Sequence, residues 1–187
     1  MRFQLILKSI LILLAVVFSG NVFAADPSVE CVDQLKSKEE LQILMGKVAL
    51  GSVDDQTLEI LANDDVPAKK EMEVISLWIK ARQTCKQLGA EWRSTNYPPT
   101  LTPIVDGYYS DFTSLAADLY AKKISYGEFA KTRARLEQEF MKNMAVEAQL
   151  IHQQEQAEKL QREALDQKPL PASDLRTLDA ATIRQRR

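Results

Sequence analysis

The chain has 187 residues, 45% hydrophobic and 27% charged, with 24 basic and 26 acidic side chains and one histidine. That length fits one domain with room for an extension, and the slightly acidic balance argues against non-specific nucleic-acid binding, which needs a basic face to displace counterions. A single histidine would leave any metal site to be built from carboxylates almost alone, and the two cysteines match neither a Cys-x-x-Cys pair nor a zinc site.

Residues 1–24 read as an export signal. Arg2 and Lys8 flank or interrupt an apolar run, Leu5-Ile6-Leu7 and then Ile10 to Phe18; Ser19, Gly20 and Asn21 break it. Val22-Phe23-Ala24 then supplies the small residues a signal peptidase takes at its −3 and −1 positions. Cleavage after Ala24 removes Arg2 and Lys8, so the mature chain carries 22 basic (24 less 2) against 26 acidic residues. The run is shorter than the roughly 20 apolar residues a permanent span needs, although retention as an uncleaved anchor stays open. No later segment is apolar enough to cross a bilayer, so no stable membrane span is expected after cleavage. Cys31 lies beyond the cleavage point, which argues against a lipid-anchored cysteine, and no twin-arginine pair is present, which implies export in the unfolded state. The expected location is the periplasm or the exterior. In that oxidising setting Cys31 and Cys85 are expected to form one intramolecular disulfide, with free thiols or a bridge to another chain as the alternatives.

After residue 36 the pattern is helical almost throughout. Ser37-Lys38-Glu39-Glu40 has the form of a capping box. Leu41, Leu44, Met45 and Val48 follow at helical spacing, and Gly51 ends the element. A short helix from Asp54 or Asp55 to Ala62 is expected to face Leu58 and Leu61 inward. Asn63-Asp64-Asp65 is turn chemistry, and Pro67 suits the first turn of the next helix. That helix, roughly Pro67 to Ser94, has the densest apolar content. Val74, Leu77, Ala81, Cys85, Leu88 and Trp92 form a stripe that Met72, Ile75, Trp78 and Ile79 widen, as expected of a central helix packed on two sides.

Asn96-Tyr97-Pro98-Pro99 cannot be helical, because each proline restricts the residue before it and lacks an amide donor. Thr102-Pro103 looks like an N-cap and first turn. Val105, Tyr108, Phe112, Leu115 and Leu119 then recur at helical spacing, although Gly107 weakens the early turns and a start nearer Ser110 or Asp111 stays open. Ser125-Tyr126-Gly127-Glu128 is a second capping box, with Ile124 and Phe129 in the staple positions, so Lys122 to Ile124 is a tight turn between antiparallel helices. The last helix runs from Tyr126 towards Gln167, about 60 Å at 1.5 Å per residue. Phe129, Leu136, Phe140, Met144 and Ile151 make its inward stripe, which thins afterwards to Ala157, Leu160 and Ala164. Two or so poor heptads there do not establish a coiled coil, which wants about three or four. Lys168-Pro169-Leu170-Pro171 stops the helix. The expected fold is all-α: a small antiparallel helical bundle over residues 25–150 with a long C-terminal helix and one disulfide. An extended helical arm follows at 151–167 and a disordered tail at 168–187.

The run Ala121-Lys122-Lys123-Ile124-Ser125-Tyr126-Gly127-Glu128-Phe129-Ala130-Lys131-Thr132-Arg133 resembles the short helical-hairpin module called SHOCT, over residues 112–136 of this chain. That module has a helix, a turn holding an Ile-Thr-like pair, and a Glu-Phe followed by basic residues. The resemblance implies a small oligomerisation or interaction element without catalysis. Here Lys123 stands where the module usually has glycine, and the hairpin is internal where the module is usually terminal.

Little of the sequence reads as catalytic. His152, which any Ser-His-Asp or Cys-His relay would need, lies among glutamines on the sparse distal part of the last helix, without a dry cleft. The carboxylate pairs Glu71/Glu73, Asp54/Asp55, Asp64/Asp65 and Glu137/Glu139 are spaced so that their members do not face each other on a helix, and narrow bundles seldom supply a substrate cleft. No phosphate loop, calcium loop or haem attachment motif is found, and no cofactor or metal is expected. The remaining cluster is Trp92, Arg93, Tyr97, Pro98, Pro99, Tyr108 and Tyr109. Trp92, Arg93, Tyr97 and Tyr109 are its candidate partner surface, and the alternative is that Trp92 and Tyr108 close the core while the prolines stiffen the crossing. The expected function is that of a non-enzymatic envelope protein binding another protein or itself. A periplasmic chaperone or stress protein and a cell-wall glycan-binding protein are the alternatives.

Overall fold

The computed structural model describes residues 25–166; the expected export signal at 1–24, and Gln167 with the expected tail at 168–187, lie outside the described residues. Six α-helices follow in order: α1 Pro27–Gln34, α2 Leu58–Leu61, α3 Lys69–Leu88, α4 Ala90–Asn96, α5 Thr102–Tyr120 and α6 Tyr126–Asp166, with short 3-10 turns between them and no strand among the described residues. The expected all-α bundle with a long C-terminal helix is therefore present. Asp26 starts α1 by accepting from the Ser28 amide at 2.8 Å, with Pro27 in the first turn. Cys31 on α1 is disulfide-bonded to Cys85 on α3, with Cα atoms 5.4 Å apart. The expected bridge thus ties the first helix across the central one.

Trp78 of α3 is fully buried at the centre of the core. Phe112 of α5 and Phe129 of α6 meet its ring edge-on, with centroids 5.6 and 6.0 Å away. Leu35, Leu41, Leu44, Ile75, Leu115 and Leu119 complete the apolar shell. α5 and α6 form an antiparallel hairpin whose second arm starts as the sequence predicts: the Ser125 amide donates to Glu128 at 2.8 Å, and the Glu128 amide donates to the Ser125 hydroxyl at 3.2 Å. The amides of Tyr126 and Gly127 donate to the Asp65 and Asn63 carbonyls, at 3.0 and 2.7 Å, so two orphan donors of the helix start end on the 63–65 turn. All the fully buried residues of α6 lie between Tyr126 and Arg133. Its last half-buried side chain is Ile151, and everything from His152 to Asp166 is exposed.

Four expectations need correction. Residues 37–51 do not form a helix; only a 3-10 turn, Glu39–Leu44, forms, and the Ser37 hydroxyl donates back to the Gln34 carbonyl instead of capping. Gly46, at φ +72°, reverses the chain, and Val48, Ala49, Leu50 and Gly51 continue as a buried strap. Leu41, Leu44 and Val48 are inside as expected, whereas Met45 is exposed. α2 is a single turn capped by Thr57, and it buries Ile60 while Leu58 is 80% exposed. The third helix divides at Gly89 into α3 and α4, and its inward face is rotated from the apolar stripe. The buried positions are Glu71, Ile75, Trp78, Arg82 and Cys85, while Leu77 and Leu88 face out. The rotation follows from hydrogen bonding, since Glu71, Trp78 and Arg82 all find partners on the inner side. α5 starts at Thr102 despite Gly107, with Leu101 rather than Thr102 at its N-cap.

Candidate functional site

The strap is where the polar interior gathers. Irregular backbone in a core leaves carbonyls without helical partners, and these must be satisfied by side chains. The Trp78 indole donates to the Leu50 carbonyl at 3.0 Å. Arg133, one helical turn beyond Phe129 on α6, donates from Nη1 to the Ala49 carbonyl and from Nη2 to the Gly51 carbonyl at 2.6 Å. Arg82 of α3 reaches the Gly51 carbonyl from Nη1 at 3.3 Å. Both guanidinium groups lie on the aromatic core, with the Cζ of Arg82 4.2 Å and that of Arg133 5.5 Å from the Phe112 centroid.

The two arginines are 4% and 1% exposed. Neither has a carboxylate within ion-pair distance among the described residues, and neither Nε meets an acceptor there. Burial lowers the pKa of each, and the neighbouring charge of Arg82 lowers Arg133 further, to about 10. A guanidinium starts from so high a pKa that both are taken as charged at neutral pH. Two like charges held in a core without direct counter-ions are costly.

These side chains line a cleft of about 360 Å³ walled by α1 and Gly51–Val53 on one side and by α5 and α6 on the other. A narrow bundle was not expected to supply such a cleft; α1 and the irregular 51–53 segment provide the extra wall. Tyr108 and Glu137 face each other within it, the phenol donating to the carboxylate at 2.5 Å. Burial, reinforced by Glu137, pushes the Tyr108 phenol well above its ordinary pKa. Although Tyr108 also stands near enough to favour the charge on Arg82, its proton goes to Glu137. The rings of Tyr109 and Phe140 pack on Tyr108, with centroids at 5.6 and 4.7 Å. An adjoining hollow of about 470 Å³, shared through Arg93, Tyr97 and Val105, runs along α3 and α4 past the Lys86–Asp106 pair.

Of the four residues singled out as a partner surface, Arg93, Tyr97 and Tyr109 line this cleft. Trp92 packs edge-on against Tyr97 at 5.4 Å. Arg93 is engaged internally: Nη1 donates to Asp26 at 2.9 Å and Ser28 at 3.1 Å, and Nη2 to the Lys86 carbonyl. His152 is exposed on α6 and bonded to Gln156 at 2.8 Å. Among the carboxylate pairs, Asp54, Asp55, Asp64, Asp65, Glu73 and Glu139 are exposed. Glu71 is buried and accepts from Lys47 at 2.5 Å, the Ala68 amide at 2.8 Å and the Tyr126 phenol at 2.9 Å. Burial pushes Glu71 up, but these three donors outweigh it and hold the carboxyl below its usual range. No group of three or more His, Cys, Asp or Glu among the described residues is arranged to hold a metal.

Sequence reasoning missed Arg82 and Arg133 and read Glu137 only as half of a carboxylate pair whose members do not face each other. One signal was available: Ile75, Trp78, Arg82 and Cys85 share a face at 3-4-3 spacing, as do Phe129 and Arg133. No protein-family model, no curated protein and no solved structure matches the chain.

Proposed function

We propose that this is an exported, non-enzymatic helical protein of the bacterial cell envelope that acts through protein–protein interaction, in an accessory or scaffold role. The observation that carries the reading is the reach of α6. It has 41 residues against 19 in α5, its hairpin partner, and every side chain from 152 to 166 is exposed. At about 1.5 Å per residue that stretch projects roughly 20 Å beyond its last half-buried residue. A compact bundle gains nothing from it, since isolated helix is marginal in water unless another surface covers it. Met141, Val146, Leu150, Leu160 and Leu165 are exposed apolar positions along the same helix, available to a partner or a second copy. The disulfide fits an oxidising compartment, and the SHOCT-like hairpin at 112–136 would add an interaction element of the same kind.

The test is photo-crosslinking in cells from Val146, Leu150 and Leu160, with Leu58 as the control position, alongside light scattering of the purified protein over a wide concentration range. Discrete adducts from the α6 positions alone, or concentration-dependent assembly lost on deleting residues 152–166, support the reading. A strict monomer that yields no adduct from α6 refutes it.

A further inference from the structure

We propose that the cleft around Arg82 is a binding site for an organic monocarboxylate, a carboxylate head carrying an apolar body. This is independent of the protein–protein reading, which concerns the far end of α6.

The charge inventory points to one negative charge. Asp26 and Arg93 neutralise each other at 2.9 Å, and Asp33 on the rim is paired with Lys36 at 2.6 Å. What remains is Arg82 and Arg133 against Glu137, a net charge of plus one in a desolvated place. A monoanion completes the balance, whereas a phosphate dianion would leave an uncompensated negative charge against aromatic walls. The donors point the same way. Arg133 is committed through both Nη atoms to the strap. Among the described residues Arg82 makes one hydrogen bond within 3.5 Å, at 3.3 Å to Gly51, with the Tyr108 phenol beside it, out of a guanidinium that offers five N–H groups. Its Nε is closed to solvent and its Nη1 is on Gly51, so Nη2 is the edge it offers. That one charged NH2 edge can give a carboxylate oxygen a charge-assisted hydrogen bond. Beyond the head, Val29, Val32, Val105 and Phe140 give the ligand's body an apolar bed. A volume of about 360 Å³ also falls within the usual range for small-molecule sites, about 300–1,000 Å³. Glu137, tied to Tyr108, sets the upper limit on charge by opposing a second negative group.

The experiment titrates the disulfide-bonded chain with 3-phenylpropionate, its neutral amide, inorganic phosphate, and N-acetyl-Gly-Phe as the free acid, by calorimetry and amide-shift NMR. Saturable binding of a carboxylate, about tenfold or more tighter than the amide, is expected, because the amide cannot make the charge-assisted bond. Arg82→Gln should weaken carboxylate binding about tenfold or more with its unfolding transition retained. Glu137→Gln should tighten it, which keeps the proposal testable if the arginine variant fails to fold. Preference for the dipeptide would identify a chain terminus as the source, and preference for 3-phenylpropionate a free small molecule; either supports the site. Absence of saturable carboxylate binding, equal binding of the amide, tighter binding of phosphate, or no change in Glu137→Gln would overturn it.

Discussion

Removing the Cys31–Cys85 bridge should cost about 4 kcal/mol without changing the folded structure. The bond closes a loop with a sequence separation of 54, and in the chain-entropy model a loop of that size loses about 14 cal/mol/K of unfolded-state entropy, or about 4 kcal/mol at 25 °C. At about 2.1 cal/mol/K per residue, a domain of about 140 residues gains roughly 0.3 kcal/mol/K on melting, so the expected drop in Tm is about 14 °C. The native position of α1 does not rest on the bridge alone, because Arg93 still holds Asp26 and Ser28 at 2.9 and 3.1 Å. The Cys31→Ala/Cys85→Ala double variant should therefore keep the far-ultraviolet circular dichroism of the parent. In urea its midpoint should fall, and its m value should rise as the released chain exposes more surface. A loss below about 1 kcal/mol would show that the unfolded chain is not being constrained, and the entropic argument fails. A loss of native helix content would show that the bridge acts on packing instead.

Five further outcomes are expected. Gly127→Ala places a Cβ 2.8 Å from the Leu61 carbonyl and 2.9 Å from that of Asn63, both backbone atoms, and should destabilise by about 1–3 kcal/mol in urea unfolding. Ser125→Ala removes the hydroxyl that accepts from the Glu128 amide and should cost about 1 kcal/mol in the same assay. Because the folded pKa of Glu71 lies below its ordinary value of 4.5, its stabilisation is present above that value and lost as pH falls through the folded pKa; Glu71→Gln should lower stability at neutral pH and flatten the acid limb of a pH–Tm profile. Arg133→Met leaves the Ala49 carbonyl without a donor and Gly51 with only the long bond from Arg82, and should cost about 2–3 kcal/mol. Arg82→Met leaves Gly51 still held by Arg133 and removes a like charge, so its effect should stay within about 1 kcal/mol. Equal losses for the two arginine variants would contradict the division of roles drawn between them.

The hairpin was legible because its signals are local. Ser125, Glu128, Ile124 and Phe129 lie within six residues and specify one turn and one helix start, which α6 adopts. The disulfide was legible from the cysteine count and the expected compartment alone. The segment 37–51 was not, because Leu41, Leu44 and Val48 satisfy helical spacing equally well when the chain reverses between them. Gly46 decides the matter through a positive φ that spacing does not reveal. The face of α3 was misjudged for a related reason: apolar counting discards Glu71 and Arg82, which are the inward residues. Their partners lie far away along the chain. Arg82 bonds a carbonyl 31 positions distant and Arg133 bonds carbonyls 84 and 82 positions distant, and backbone acceptors leave no mark in a sequence.

The strap also separates the arginine that structure requires from the one it does not. Three consecutive carbonyls, of Ala49, Leu50 and Gly51, point into the core without helical partners, and three donor side chains converge on them. Trp78 answers Leu50, and Arg133 answers both Ala49 and Gly51, so each acceptor is already satisfied before Arg82 is considered. Arg82 adds only a long bond to an occupied oxygen, while bringing a second positive charge onto the same aromatic platform. A hydrophobic side chain of similar volume would fill that position at lower desolvation cost. Stability therefore accounts for Arg133 and leaves Arg82 over, on the wall of the cleft where Tyr108 and Glu137 also stand.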